Sequence, residues 1–248
     1  MKKQLKDVIS NKVFVSLCLS LTGLYYVVTG IQYWTPDYLK NVLEQNDNTV
    51  SVYFSVSSLT APIGGVIIGG IVTSAYGGYN NRKAQKIQCM MGCCAVASAL
   101  PIPWMSAPED FYYVAICFWL LLFFGGFILP PVTGIMINSV DDYQKSSANS
   151  IANLCYNLFG YLPAPSIYGM ISAATKVETP SGGNKSRWSM GVLLYSTIVT
   201  VSLLVYGINK KIESDDESRR RNSTMALKRD EECVEEMVNQ RLIERKDS

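Results

Sequence analysis

The charges of this chain are segregated. They lie in residues 1–12, in short interruptions, and from Lys210 onward; between those places run long stretches without a single Asp, Glu, Lys or Arg. A helix needs roughly 20 predominantly apolar residues to cross a bilayer. In hydrocarbon, only helices and closed barrels satisfy their own backbone. Charged residues make up 17% of the 248, against about 25% in soluble globular chains. The pattern predicts an all-α, polytopic membrane protein with six spans at about 13–39, 50–76, 87–105, 111–138, 146–174 and 188–208. It divides the chain into a basic start at 1–12, a six-helix transmembrane bundle at 13–210 and a charged, partly disordered tail at 211–248. The opening is basic, like a signal peptide, but the apolar run behind it is too long and has no small-residue cleavage site, so it reads as the first span.

Loop charges orient the bundle. Lys2, Lys3, Lys6 and Lys12 precede the first span, Arg82, Lys83 and Lys86 separate the second from the third, and Lys210, Lys211 and Arg219 to Arg221 follow the sixth. With alternating spans all of these fall on one side. The loops "NVLEQNDN" and "SAPED" on the other side are acidic, and "KVETPSGGNKSR" is a mild exception. The positive-inside rule then places both termini in the cytoplasm. Asn184-Lys185-Ser186, a glycosylation triplet, falls on the outer side. In the tail, Arg220-Arg221-Asn222-Ser223 and Ser214-Asp215-Asp216-Glu217 have the form of kinase sites, and 225–246 has loosely helical apolar spacing.

Absences narrow the chemistry. The chain has no histidine, which removes His-based acid–base catalysis, haem ligation and most zinc sites. Six of its seven cysteines fall in spans, where they act as small packing residues, and no Cys-x-x-Cys pair occurs. No span has a charge at its middle; Asp37, behind Pro36, is nearest and lies toward the outer end. Intramembrane charges mark proton and ion pathways, so any titrating coupling group lies outside these spans. No metal site, cofactor or nucleic-acid partner is expected, nor is a catalytic function.

Uncharged polar residues form stripes. Thr22, Tyr25 or Tyr26, Thr29 and Gln32 or Tyr33 recur at helical spacing in the first span; Ser146, Asn149 or Ser150, Asn153 and Asn157 do so in the fifth. Lipid does not tolerate such faces, so they meet other helices or line a polar cavity. In the second span Gly64, Gly65, Gly69 and Gly70 make overlapping small-xxx-small pairs suited to close helix contact. Pro130 and Pro131 predict a kink in the fourth. The fifth carries Gly160, Pro163, Pro165 and Gly169, an unusual load of helix-weakening residues for a buried span.

Four stretches carry a resemblance over about residues 10–210. They are "VTGIQYWTPDYL" at 28–39, "GGIVTSAYGGYNNRKAQ" at 69–85, "GGFILPPVTGIMINSV" at 125–140 and "NLFGYLPAPSIYGMI" at 157–171. Together they resemble helices seven to twelve, the C-terminal half, of a major facilitator superfamily transporter, with the Spinster-like subgroup nearest. The last stretch, a Gly followed by a Pro-x-Pro step and another Gly, is the most specific. The second sits where the superfamily repeats a Gly-x-x-x-Asp-x-x-Gly-Arg-Arg loop; Gly70, Gly77, Arg82 and Lys83 match approximately, and Ser74 stands at the acidic position.

The resemblance implies alternating-access transport of a small organic or lipid-like solute, with substrate near the midplane. On that reading Thr22, Tyr26, Thr29, Gln32, Asn153 and Asn157 line the cavity. Gly70, Ser74, Gly77, Arg82 and Lys83 form a cytoplasmic gate loop, and Pro130, Pro131, Gly160, Pro163, Pro165 and Gly169 bend helices. The implied partners are the bilayer, the solute, and either a missing N-terminal half or a second copy. Three arrangements stay open: a piece of a twelve-helix protein, a half-transporter that dimerises, or a remnant that scaffolds through its tail without transporting. Plasma membrane and lysosome-like compartments fit equally, and the substrate and the ion coupling are not implied.

Overall fold

Asn11 starts the first membrane helix and ties it to the rest of the bundle. Its backbone is extended, and its side-chain oxygen accepts hydrogen bonds from the Val13 and Phe14 amides at 3.0 and 3.2 Å, satisfying two of the donors every helix leaves unpaired at its N-terminus. Its amide nitrogen donates to Ser139 O at 2.7 Å, in the loop after the fourth span. The computed structural model describes residues 7–174 and 183–244, with side chains omitted at 183–185 and 230–244.

Every long element among the described residues is helical: α1 (Lys12–Asn41), α2 (Asp47–Ala75), α3 (Arg82–Ala99), α4 (Phe111–Ile137), α5 (Lys145–Cys155), a π-helical segment (Tyr156–Tyr161), α6 (Pro163–Ala174) and α7 (Gly183–Glu244). Five stretches are long and apolar enough to cross a membrane: Lys12–Asn41, Asp47–Ala75, Arg82–Trp104, Pro108–Ile137 and Ser186–Arg229. The sixth expected span, 146–174, is α5, the π segment and α6 laid end to end.

The chain divides into two units after Ile208. In the first, α2 and α4 make the closest helix pair. A Cβ on Gly65 would overlap Phe123 O and fall 2.8 Å from Phe127 N, one on Gly69 would overlap Phe127 O, and one on Gly126 would fall 2.6 Å from Pro62 O. The carbonyl of Phe127 is the one that Pro131, lacking an N–H, cannot serve from four residues on. It faces Gly69 instead, close enough for a Cα–H contact. Of the four glycines of the small-xxx-small run, then, Gly65 and Gly69 form the seam; Gly64 only touches the Phe123 ring and Gly70 meets nothing within 4 Å. α4 stays α-helical through Pro130 and Pro131. Neighbouring backbone compensates for missing donors in membrane helices.

Tyrosines pin the end of the bundle where α1 ends and α2 begins. Tyr38, fully buried, donates to Ile102 O at 3.0 Å, and Tyr53 donates to Ala115 O at 2.7 Å. A buried phenol needs an acceptor, and these choose the carbonyls that hold α1 to the α3–α4 connection and α2 to α4. α7 packs on α1, where Gly30 faces Leu193, Gly207 faces Ser16 and Leu17, and Ser20 donates to Thr200 O at 2.9 Å.

In the second unit, 209–248, the structure differs from the expectation of a partly disordered tail: α7 continues as helix to Glu244. Helical charge spacing explains this. Lys210–Glu213 (2.6 Å), Lys211–Asp215 (2.8 Å) and Glu217–Arg221 (3.9 Å) are pairs three or four residues apart, the separations at which side chains meet on a helix. Lys210 also holds the Glu213 carboxyl below its usual range.

Candidate functional site

The loop "YGGYNN" between α2 and α3 is built by its glycines. Gly77 and Gly78 have φ of +89° and +78°, and Gly78 N donates to Thr73 O at 2.9 Å, the C-terminal capping pattern that favours glycine. Asn81 then caps α3 by accepting from Lys83 N at 2.9 Å. Tyr79 lies over Gly134 of α4, where a Cβ would come within 2.8 Å of the ring. Two fully buried glutamines brace the hairpin from inside: Gln85 donates to Tyr79 O at 2.9 Å and Gln88 to Thr73 Oγ1 at 3.1 Å. Of the expected gate residues, Ser74, Gly77, Arg82 and Lys83 are exposed on this loop and its flanks, while Gly70 stands a turn earlier in open space.

In the composite span, the helix-weakening residues of the sequence meet a local departure from regular helix. The segment Tyr156–Tyr161 winds as a π-helix, closed by Leu162 N donating to Asn157 O at 3.1 Å. Pro163 and Pro165 follow immediately and supply no N–H to a regular ladder there. Such single-turn π segments occur mostly at functional positions. Gly160 lies in this turn against α1; a Cβ there would be 2.9 Å from Thr22 O and 3.0 Å from Tyr25 Cβ. Tyr25 is flanked by Tyr156 and Tyr161, both with ring centroids at 4.9 Å. Further out, Trp34 stacks on Tyr168 at 4.4 Å, beside Gly169. At the outer edge Tyr168 donates to Ser186 O at 3.1 Å and Ser186 to Asp37 Oδ2 at 2.8 Å, joining α6, α7 and α1. Ser186, the hydroxyl residue of the glycosylation triplet, is therefore buried and engaged.

The structure separates the six cavity candidates. Thr22 is buried, and its hydroxyl donates to Cys18 O at 2.8 Å within its own helix. Tyr26 packs, half-buried, against the hydrophobic core. Thr29 carries a buried hydroxyl with no hydrogen-bond partner. Gln32, Asn153 and Asn157 are exposed on the outside of the bundle, Asn157 donating to Asn153 O at 2.7 Å. The gap of about 20 Å³ between α1, α3, α4 and α7, with mainly apolar walls, has none of the six in its lining. The residues that sequence reasoning passed over are the aromatic seam partners Tyr156, Tyr161 and Tyr168 and the unpaired donors Trp34 Nε1 and Thr35 Oγ1 beside Thr29 on α1. The Trp-x-Pro step was the one signal pointing to Trp34.

Three comparisons with known proteins bear on this geometry. The sequence profile of the Major Facilitator Superfamily matches residues 2–165. Among solved structures, the chain is similar to a bacterial homologue of the human lysosomal transporter Spinster, captured in an inward-facing and occupied conformation. The TM-score is 0.63 at 12% identity, with 84% of this chain and 51% of that one covered. The chain thus spans about half the length of the structure it matches, and at this identity the likeness is one of fold. No curated protein matches.

Proposed function

The chain belongs to the Major Facilitator Superfamily, and from that premise we propose that it is one six-helix bundle of a secondary transporter of the Spinster-like kind. Its solute is small and organic or lipid-like, moved by alternating access, with both termini in the cytoplasm. The observation that carries this reading is a set of amides on the outside of the bundle: Asn153 and Asn157 on the composite span, among the exposed Leu154, Leu158 and Phe159, and Gln32 on α1. A membrane-spanning helix facing lipid would have lost such groups. A second bundle, from the rest of a longer polypeptide or from another copy, covers this face and encloses a polar cavity with it. The exposed face of α2 is richer in apolar residues, with Val52, Val56, Leu59 and Ile63 beside the hydroxyls of Ser51, Ser55 and Thr60.

Alternating access needs a joint, since one bundle rocks on the other about a central site. The π turn before Pro163 and the close approach at Gly160 supply a bent helix with a glycine contact where that motion would be absorbed. The solved neighbour is described as inward-facing and occupied, which supports reading the same fold here as one state of such a cycle. The solute class rests on the site's chemistry: uncharged amide and hydroxyl groups beside aromatic rings hold a neutral or amphiphilic molecule better than a compact ion.

The test is uptake into cells or proteoliposomes containing the protein, with a panel of amphiphilic and small organic solutes. Replacement of Gln32, Asn153 and Asn157 by Ala should lower uptake at unchanged surface expression. Uptake equal to wild type would remove these residues from the site. The competing reading, a scaffold acting through its tail, draws on the helical continuation of α7 to Glu244. Deleting 213–248 separates the two: a transporter keeps most of its flux, and an adaptor loses its partner.

A further inference from the structure

A groove of about 270 Å³ opens on the side of the bundle where α3 ends and α7 begins. Its lining includes Pro103, Trp104, Arg187, Trp188, Gly191 and Tyr195. Trp104 and Trp188 are 74% and 64% exposed, and they stand at the outer limits of two membrane-spanning stretches, Arg82–Trp104 and Ser186–Arg229. That is the depth of lipid headgroups, where tryptophan is enriched because its ring is apolar and its N–H is not. Between the two indoles sits one cation. The Arg187 Nε donates to Pro103 O at 2.5 Å, which fixes the plane of the guanidinium. Among the described residues, no carboxylate lies within ion-pair reach of it.

We infer that this groove is a phospholipid site. The lipid phosphate lies on the terminal nitrogens of Arg187, and the glycerol and upper acyl region lie between Trp104 and Trp188 on the floor made by Gly191 and Pro103. Three features select this occupant. A planar guanidinium, oriented by its own Nε bond, matches two phosphate oxygens at once. The walls are apolar apart from that group, which suits a molecule with one charged end. The volume is at the small end for ligand pockets, enough for a headgroup and the base of the chains, with the rest remaining in the bilayer. A cation at the edge of the hydrocarbon, with no carboxylate partner among the described residues, suits an anion there, and lipid phosphate is the anion always present at that depth. Gly191 keeps the floor open: a Cβ would sit 3.6 Å from Pro103 Cβ, ordinary contact, but a longer side chain would project into the groove.

Native mass spectrometry of the full chain tests this directly. The purified protein is titrated with phosphatidylcholine, with phosphatidylglycerol, and with diacylglycerol of the same chains. Both phospholipids should be retained and diacylglycerol should not. Arg187→Gln should lower phospholipid occupancy about tenfold, the scale of one charge-assisted hydrogen bond, and Trp188→Ala, a change at an exposed ring, should also lower it. Equal retention of diacylglycerol, or unchanged occupancy in Arg187→Gln, would overturn the assignment. If Arg187→Gln fails to fold, the lipid comparison on wild type and Trp188→Ala still decides. Displacement of bound lipid by millimolar inorganic phosphate would mean that the site reads free phosphate, contrary to the proposal. The readout is lipid occupancy, so it stands or falls apart from any measurement of flux.

Discussion

At the scale of single residues, the glycines separate into those that touch backbone and those that do not. Gly160 faces Thr22 O and Gly65 faces Phe123 O, whereas Gly70 faces nothing. Overpacking a close helix contact costs roughly 1–3 kcal/mol, while a change without contacts stays within about 0.5 kcal/mol. Gly160→Ala and Gly65→Ala should each lower the melting temperature of the purified protein, and Gly70→Ala should leave it unchanged. Equal loss at all three would mean that the helix seams lie elsewhere. The unpaired hydroxyl of Thr29 supports a second prediction. Thr29→Val removes a buried polar group that no protein atom satisfies, so stability should hold or rise. If that hydroxyl meets the solute, apparent affinity should fall about tenfold, the loss of one hydrogen bond. A variant equal to wild type in both assays would take Thr29 out of the site.

At the scale of elements, the composite span repays the attention its sequence invites. Gly160, Pro163, Pro165 and Gly169 announced a departure from regular helix, but the form it takes, a π turn at Tyr156–Tyr161 closed before the first proline, is not encoded in any one of them. It depends on Gly160 meeting α1 and on Tyr25 lying between Tyr156 and Tyr161, contacts between residues more than a hundred positions apart. The positions of the spans were legible because each is a long uncharged run. The polar stripes were legible from spacing, but spacing cannot say which partner a stripe meets. Thr22 turned inward to its own helix backbone and Asn153 outward. Pro130 and Pro131 read as a kink because the compensating neighbour, Gly69, lies on another helix. Pro163→Ala should restore a backbone donor and stiffen this turn. The variant should fold and reach the membrane, with slower uptake and stronger hydrogen-exchange protection at 158–163. Faster exchange with unchanged uptake would dismiss the turn as a joint.

At the scale of the whole molecule, the account rests on a bundle that is incomplete as a solvent-facing object. Its α2 face is largely apolar and suits lipid, whereas Gln32, Asn153 and Asn157 are exposed amides on α1 and the composite span. The fold likeness covers about half of a known transporter. In the proposed reading, a second bundle from the same polypeptide or from another covers these amides and encloses a cavity with them. The proposed cytoplasmic placement of both termini makes a further prediction: an antibody to 213–248 should stain only permeabilised cells. Staining of intact cells would invert the topology.

The measurement that tests the central claim most directly is in-membrane crosslinking of the native protein, followed by a denaturing immunoblot against 213–248. The account predicts a band at about twice the 27.5 kDa of this chain, without crosslinker if both bundles share one polypeptide and only with it if they are separate. A band that stays at 27.5 kDa under efficient crosslinking would mean that a single bundle stands alone in the membrane, and would contradict the account.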